Sequence, residues 1–145
     1  MDEAPRATTD NLGFLLAKAS QRWNERLAEE FARRGFAEVR PSYGSVLVPL
    51  LEEDGLRMGE LAARSRLSKQ TMTTLVRLVE RDGLVTRRPD PDDGRAVRVH
   101  LTDRAKAFRP VAEQTLAELD RAVEDRLGGS QARALQRALK EVMSL

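Results

Sequence analysis

Between Ser68 and Arg81 the side chains sort onto two faces of a helix. Met72, Leu75, Val76 and Val79 stand at i, i+3, i+4 and i+7, the spacing of one buried stripe. At about 100° per residue the opposite face carries Gln70, Thr74, Arg77 and Arg81, with Thr73 at its edge. These residue types suit the major groove of DNA. Glutamine matches an adenine edge, a threonine methyl matches that of thymine, and arginine takes guanine or phosphate. Gln70, Thr73 and Thr74 are the candidates for base edges, and Arg77 for guanine or phosphate. Free N–H groups at a helix start favour phosphate, so Ser68, Lys69 and Thr71 are candidates for positioning contacts. A lone helix with such a face is equally an ordinary solvated surface, so its surroundings must decide.

Enzyme chemistry finds less to work with. There is no cysteine, one histidine (His100) and no glycine-rich phosphate loop, so a nucleophile, a base and an orienting group cannot be assembled. The missing thiols exclude disulfides, zinc ribbons, iron–sulfur ligation and thiol switches. A single histidine excludes a His-rich metal site. No catalytic residue, metal or cofactor is expected.

The net charge of +2 becomes informative once it is located. Residues 57–104 hold eleven Lys/Arg against seven Asp/Glu, and the remainder holds fourteen against sixteen. Of the 25 basic residues 21 are arginine, whose planar fork suits phosphates and base edges. The centre is therefore basic and the flanks slightly acidic, a pattern of nucleic-acid binders. The length of 145 residues is that of one domain. The longest apolar run, 46–51, is six residues with a proline inside it, where a membrane helix needs about 20. The first residues contain no apolar stretch of a secretory signal. A soluble, cytoplasmic protein with no membrane partner is expected.

The elements around this face read as follows. Residues 1–9 form a tail. Thr9 or Asp10 caps a long amphipathic helix through Leu12, Leu16, Trp23, Leu27 and Phe31, ending near Gly35. A second helix spans about 41–55, with a kink expected at Pro49. Gly59 is the expected N-cap of a short helix over 60–64, a turn follows over 65–67, and Ser68 caps the next helix. Asp82-Gly83 ends it. Strands are expected over 84–88 and 95–101 around a Pro/Gly-marked tip; in the second, Val97, Val99 and Leu101 alternate with Arg98 and the outward-facing His100. Thr102 or Asp103 caps a helix with Phe108, Ala112, Leu116, Leu119 and Val123 on one stripe and Pro110 one turn in. A last helix starts at Ser130. The fold class is mostly α with a small β wing.

In this setting Asp93-Gly94-Arg95, five residues, then Leu101-Thr102 matches the wing signature of the MarR family of winged helix-turn-helix transcription regulators. Ser68-Lys69-Gln70-Thr71 resembles the opening of that family's recognition helix. Glu80-Arg81-Asp82-Gly83-Leu84-Val85 and Arg87-Arg88 resemble its exit and first wing strand. The order of elements agrees over about residues 10–143. Two positions depart from the pattern. Arg66 stands in a turn that often holds glycine, and a turn of different shape is expected there, because arginine disfavours a left-handed backbone. Ala105 stands where many members have glycine.

The resemblance implies a winged helix-turn-helix lobe over 40–103, flanked by dimerisation helices over 10–34 and 104–145. It implies that Arg95 enters the minor groove with Asp93 orienting it, and that Arg87, Arg88 and Arg98 meet flanking phosphates. The long apolar stripes of the flanking helices need a partner, and a second copy of the chain supplies one. The partners implied are double-stranded DNA, on a pseudo-palindromic site, and a second protomer. Five of the six aromatics lie in residues 14–43. The resemblance also implies a small aromatic or anionic effector that releases a repressor from DNA; Trp23, Arg40 and Tyr43 are candidates to line its pocket, with plain core packing as the alternative for them. Two other functions compete with a specific regulator: a weakly specific architectural DNA binder, and a winged-helix module that binds protein.

Overall fold

The computed structural model describes residues 4–145, so the tail expected over 1–9 lies partly outside the described residues. From residue 4 to Asn11 the chain is exposed and has no helix or strand. Helix α1 (Leu12–Arg33) is capped by Asn11, whose side chain accepts from the Gly13 N–H at 3.0 Å. Thr9 and Asp10 are too early: the Asp10 N–H already donates to the Thr8 hydroxyl. At the other end the Phe36 and Gly35 N–H groups donate to the Phe31 and Ala32 carbonyls, with Gly35 at φ +91°. This is a Schellman close, which requires a left-handed residue just past the helix.

The helix expected over 41–55 is split and shorter. A 3-10 turn, Pro41–Tyr43, leads into α2 (Gly44–Glu52). Pro49 lies inside α2 and has no N–H for the Ser45 carbonyl one turn back. The Ser65 hydroxyl donates to that carbonyl instead. The gap in the α2 ladder is thus filled from the neighbouring helix.

Strand β1 (Leu56–Arg57) is two residues long, too short to show alternation in a sequence. It runs straight into α3 (Met58–Arg64), so the N-cap is Arg57 rather than Gly59. Helix α3 ends in a second Schellman close: the Leu67 and Arg66 N–H groups donate to the Ala62 and Ala63 carbonyls. Arg66 takes φ +54° to do so. The turn therefore keeps the left-handed shape that arginine was expected to prevent, at a backbone cost of about 1–2 kcal/mol.

Helix α4 (Lys69–Arg81) begins at Ser68, whose hydroxyl accepts from the Thr71 N–H at 3.1 Å. It ends in a third close of the same kind, with Gly83 at φ +82° and the Leu84 N–H on the Val79 carbonyl. Strands β2 (Val85–Pro89) and β3 (Val97–Leu101) pair antiparallel, Val85 opposite Leu101 and Arg88 opposite Arg98. Strand β1 adds to the other edge of β3, giving the order β1-β3-β2. The second strand starts two residues later than expected. Ala96 belongs to the tip, its N–H on the Asp93 carbonyl and its own carbonyl taking the Asp90 N–H.

Thr102 caps α5 (Asp103–Leu127), which runs unbroken through Pro110. After Gly128, α6 (Gly129–Met143) packs on α5. The core is one continuous cluster, centred on Val46, Leu61, Met72, Val76, Val79, Leu84 and Val99, all without solvent contact. Phe108 of α5 receives Phe31 of α1 edge-on at 4.8 Å and Phe36 at 5.2 Å, which fastens the two long helices together. Their outer parts are bare. Leu12, Phe14 and Leu15 of α1 and Leu135, Leu139 and Met143 of α6 are exposed, and α6 buries no side chain. Among the described residues no helix is long and apolar enough to cross a membrane.

The turn into β1 is tight against the sheet. Gly55 has φ +73°, and a Cβ there would sit 2.9 Å from His100 Cε1. His100 is therefore half-buried over Gly55 rather than freely outward. Gly55→Ala should lower the free energy of unfolding by about 1–2 kcal/mol in urea titrations, from left-handed strain alone. Gly59→Ala, in open space on α3, should instead be neutral or stabilise by about 0.5–1 kcal/mol.

Candidate nucleic-acid interface

Burying Met72, Val76 and Val79 completely leaves the other side of α4 facing out. Lys69, Gln70, Thr71, Thr74 and Arg77 are exposed there, with Thr73 half-buried at the edge. The hydroxyls of Thr73 and Thr74 donate back to the Lys69 and Gln70 carbonyls, at 2.8 and 3.1 Å. Their protons are thus engaged. What remains for a ligand is a methyl and an acceptor lone pair on each. The Ser68 hydroxyl donates to Thr71 Oγ1 at 2.8 Å while capping the helix, so Ser68 acts first on the fold.

The basic side chains of residues 57–104 separate into two groups. Six sit in ion pairs: Arg57 and Arg98 with Asp90, Arg64 with Glu53, Arg81 with Asp82, Arg87 with Glu80, and Arg104 with Glu38. Arg66 donates to a main-chain carbonyl. Lys69, Arg77, Arg88 and Arg95 are exposed and have no acidic partner among the described residues. Two of these four lie on α4 and two on the wing.

Two wing arginines differ from expectation. Arg98 is turned inward. Its Nε meets Asp90 at 3.1 Å and its Nη1 donates to the Gly55 carbonyl at 2.9 Å. The Asp90 side chain has no exposure, and Arg57 Nε lies 2.7 Å from it on the other side. A buried carboxylate needs such compensation. The Asp92 N–H, then the Arg57 and Arg98 guanidiniums, hold the Asp90 carboxyl below the usual carboxylate range. Arg98 is therefore part of the wing's internal structure. Arg87 keeps an exposed position, but its Nε and N–H both donate to the Glu80 carboxylate at 3.0 and 3.1 Å. Asp93 accepts from the Arg95 N–H at 3.0 Å, so it orients Arg95 through the backbone of the tip and not through the guanidinium.

A cavity of about 420 Å³ lies between α1, α2 and α5. Trp23 and Arg40 line it, together with Phe31, Leu47, Leu116 and Arg109. Tyr43 does not. It is 1 % exposed, and its hydroxyl donates to Asp82, the C-cap of α4. Of the three expected pocket residues two face the cavity, and the third holds the end of the recognition helix.

The comparisons with known proteins agree with this geometry. The model of the MarR family matches residues 38–96. The HTH-type transcriptional repressor Rv2887 of Mycobacterium tuberculosis is 30% identical over 121 residues, covering 74% of this chain and 87% of that protein. The chain belongs to the MarR family of transcription regulators. The family's fold covers nearly its whole length. The PcaV regulator from Streptomyces coelicolor, solved with its natural ligand, superposes with a TM-score of 0.79 at 20% identity over 98% of each chain. The repressor CouR, solved on a 23-mer DNA duplex, gives 0.77 at 23% identity over 96% of this chain and 99% of that one.

For this MarR-family chain, sequence reasoning missed Asp90, Arg57, Asp82 and Glu80 as shapers of the site. Only the pairing of β1 with β3 brings Arg57 to Asp90, and that two-residue strand leaves no periodic signal. Asp82 was visible as a helix end but not as the partner of a tyrosine 39 residues earlier. That contact makes a prediction. The Tyr43 hydroxyl, and after it Arg81 and Arg40, lower the Asp82 pKa. A lowered carboxylate contributes stability above its unfolded pKa and loses it as pH falls through the folded one. Tyr43→Phe should therefore unfold at a lower temperature than the parent at neutral pH. The gap should close in melting curves taken below the usual carboxylate range. A gap that is constant with pH would mean that packing, not this bond, carries the effect.

Proposed function

We propose that this MarR-family regulator is a homodimeric repressor that reads a pseudo-palindromic double-stranded DNA site and is released by a small aromatic or anionic effector. One observation carries the DNA reading. Within residues 57–104 the cations left without acidic partners, Lys69, Arg77, Arg88 and Arg95, lie on the exposed face of α4 and on the wing. On this reading Ser68, Lys69 and Thr71 set the start of the recognition helix on phosphate. Gln70, Thr73, Thr74 and Arg77 face base edges, the threonines through their methyls. Arg95 enters the minor groove at the wing, held there by the Asp93 turn, and Arg88 meets phosphate. Arg87 contributes only the part of its guanidinium that Glu80 leaves free. CouR, of the same fold, is a repressor solved on a DNA duplex.

The dimer rests on apolar area. Residues 10–34 and 104–145 would pair with their copies, covering the exposed Leu12, Phe14, Leu15, Leu135, Leu139 and Met143, while 40–103 form the DNA-binding lobe. Two lobes related by a twofold axis would read half-sites about one turn apart. The effector reading rests on the cavity beside Trp23 and Arg40, an aromatic wall with a guanidinium that has no acidic partner among the described residues. PcaV, of the same fold, was solved with a ligand. One observation favours the rival architectural binder: with the Thr73 and Thr74 hydroxyl protons engaged, Gln70 is the main uncharged donor left for base edges.

Salt titration on a selected site and on scrambled DNA separates the two. Gln70→Ala should weaken the selected site by about 1–3 kcal/mol and leave the salt slope nearly unchanged, since it releases no counterion. Arg95→Ala should weaken both DNAs and flatten the slope by about 2 units at most, one per protomer. Equal loss on both DNAs for Gln70→Ala would favour the architectural binder. Light scattering should give twice the 16.3 kDa of one chain; a mass of one chain at micromolar concentration removes the two-half-site reading.

A further inference from the structure

Three helices in this chain end in a Schellman close on a left-handed residue: Gly35 after α1, Arg66 after α3 and Gly83 after α4. Two use glycine, the residue that takes this conformation without strain. The third uses arginine, in the turn that leads directly into the recognition helix. Strain kept at one such position asks what the side chain does there. Arg66 Nη1 donates to the Met143 carbonyl at 2.6 Å. Met143 is the last residue of α6, so the guanidinium caps the negative end of that helix.

This contact is unusual in its reach. Helix α6 buries none of its side chains and packs chiefly on α5. Among the described residues, no other side-chain hydrogen bond or ion pair links α6 to the part of the chain before α5. Beyond the core packing they share, the winged lobe is joined to the long helices by the β3–α5 junction and by the segment after α1, where Arg104 meets Glu38 and the Gly35 carbonyl. Both of those attachments lie at the start of α5. Arg66 supplies a separate polar attachment, at the far end of α6.

We propose that Arg66 is a positioning residue: by clasping the C-terminal end of α6 it fixes the angle of α4 against the α5–α6 pair, and so sets which half-site spacing the protein accepts. The proposal rests on the homodimer and two-half-site reading above. A direct phosphate contact by Arg66 is the competing role for an exposed arginine at this place.

The test measures binding of the full chain to duplexes with the selected half-sites at their preferred spacing and at spacings two base pairs longer and shorter. Melting curves of each variant are taken alongside. The parent should prefer its spacing by about tenfold or more, the scale of one charge-assisted hydrogen bond per lobe. Arg66→Gly removes the clasp and relaxes the backbone. It should melt at the parent temperature or above, yet bind the three spacings within about threefold of one another. Arg66→Lys keeps a cation within reach and should recover part of the preference. A uniform loss across all spacings, with the preference intact, would overturn the clasp in favour of a phosphate contact. A lowered melting temperature in both variants, with the preference intact, would reduce Arg66 to a structural residue. A parent with no spacing preference defeats the two-half-site reading first, and the clasp with it.

Discussion

The exposed chemistry of this protein is set by what α4 must hide. Met72, Val76 and Val79 lie on one stripe and are completely removed from water, in the core that α4 shares with α2, α3 and β2. A helix of 13 residues with one stripe so buried has no freedom to roll. Its polar side is presented as a consequence. The two ends remove the remaining freedom. Ser68 fixes the first turn, and the Schellman close at Gly83, with Asp82 tied to Tyr43, fixes the last. Whatever the face contacts meets a rigid array rather than an adaptable loop.

Much of this was legible in the sequence because it is local. The 3.6-residue period of α4, the serine at its start, the Asp-Gly at its end and the alternation in β3 are each written within a few residues. What was not legible depends on contacts across the chain. Strand β1 exists because β3 offers it an edge. Tyr43 read as a pocket aromatic because its partner, Asp82, lies 39 residues away. Arg98 read as outward from strand alternation, which says which face a residue takes but not that a buried Asp90 waits on that face. The N-caps missed by one or two residues were choices between neighbours, local and exposed at Asn11 and made by the β1–β3 pairing at Arg57. Arg66 failed for another reason: a conformational preference of about 1–2 kcal/mol is small beside what a well-packed turn and a good acceptor can offset.

Charge shows how a total can mislead. The basic excess of residues 57–104 looks like a diffuse field, yet most of its arginines serve the fold, pinning the wing through Asp90, β2 to α4 through Glu80 and α5 to the segment after α1 through Glu38. Several of these pairs are partly exposed and worth little individually. Their collective effect within this stretch is to leave only Lys69, Arg77, Arg88 and Arg95 unengaged, on α4 and the wing. Arginine therefore plays two parts here with one side chain: a connector where a carboxylate faces it, and a contact group where none does.

Pro49, Ser45 and Ser65 together constrain how such a sequence can drift. Proline at 49 strips the Ser45 carbonyl of its helical donor, and the Ser65 hydroxyl replaces it. Position 65 is then not free to change alone. Loss of the hydroxyl while proline remains takes the only protein donor from the half-buried Ser45 carbonyl, whereas a lineage that first regains an N–H at 49 makes the serine dispensable. The two sites, 16 positions apart, one inside α2 and one in the turn after α3, are thus coupled through a single carbonyl, and the order in which they change decides which substitutions are tolerated.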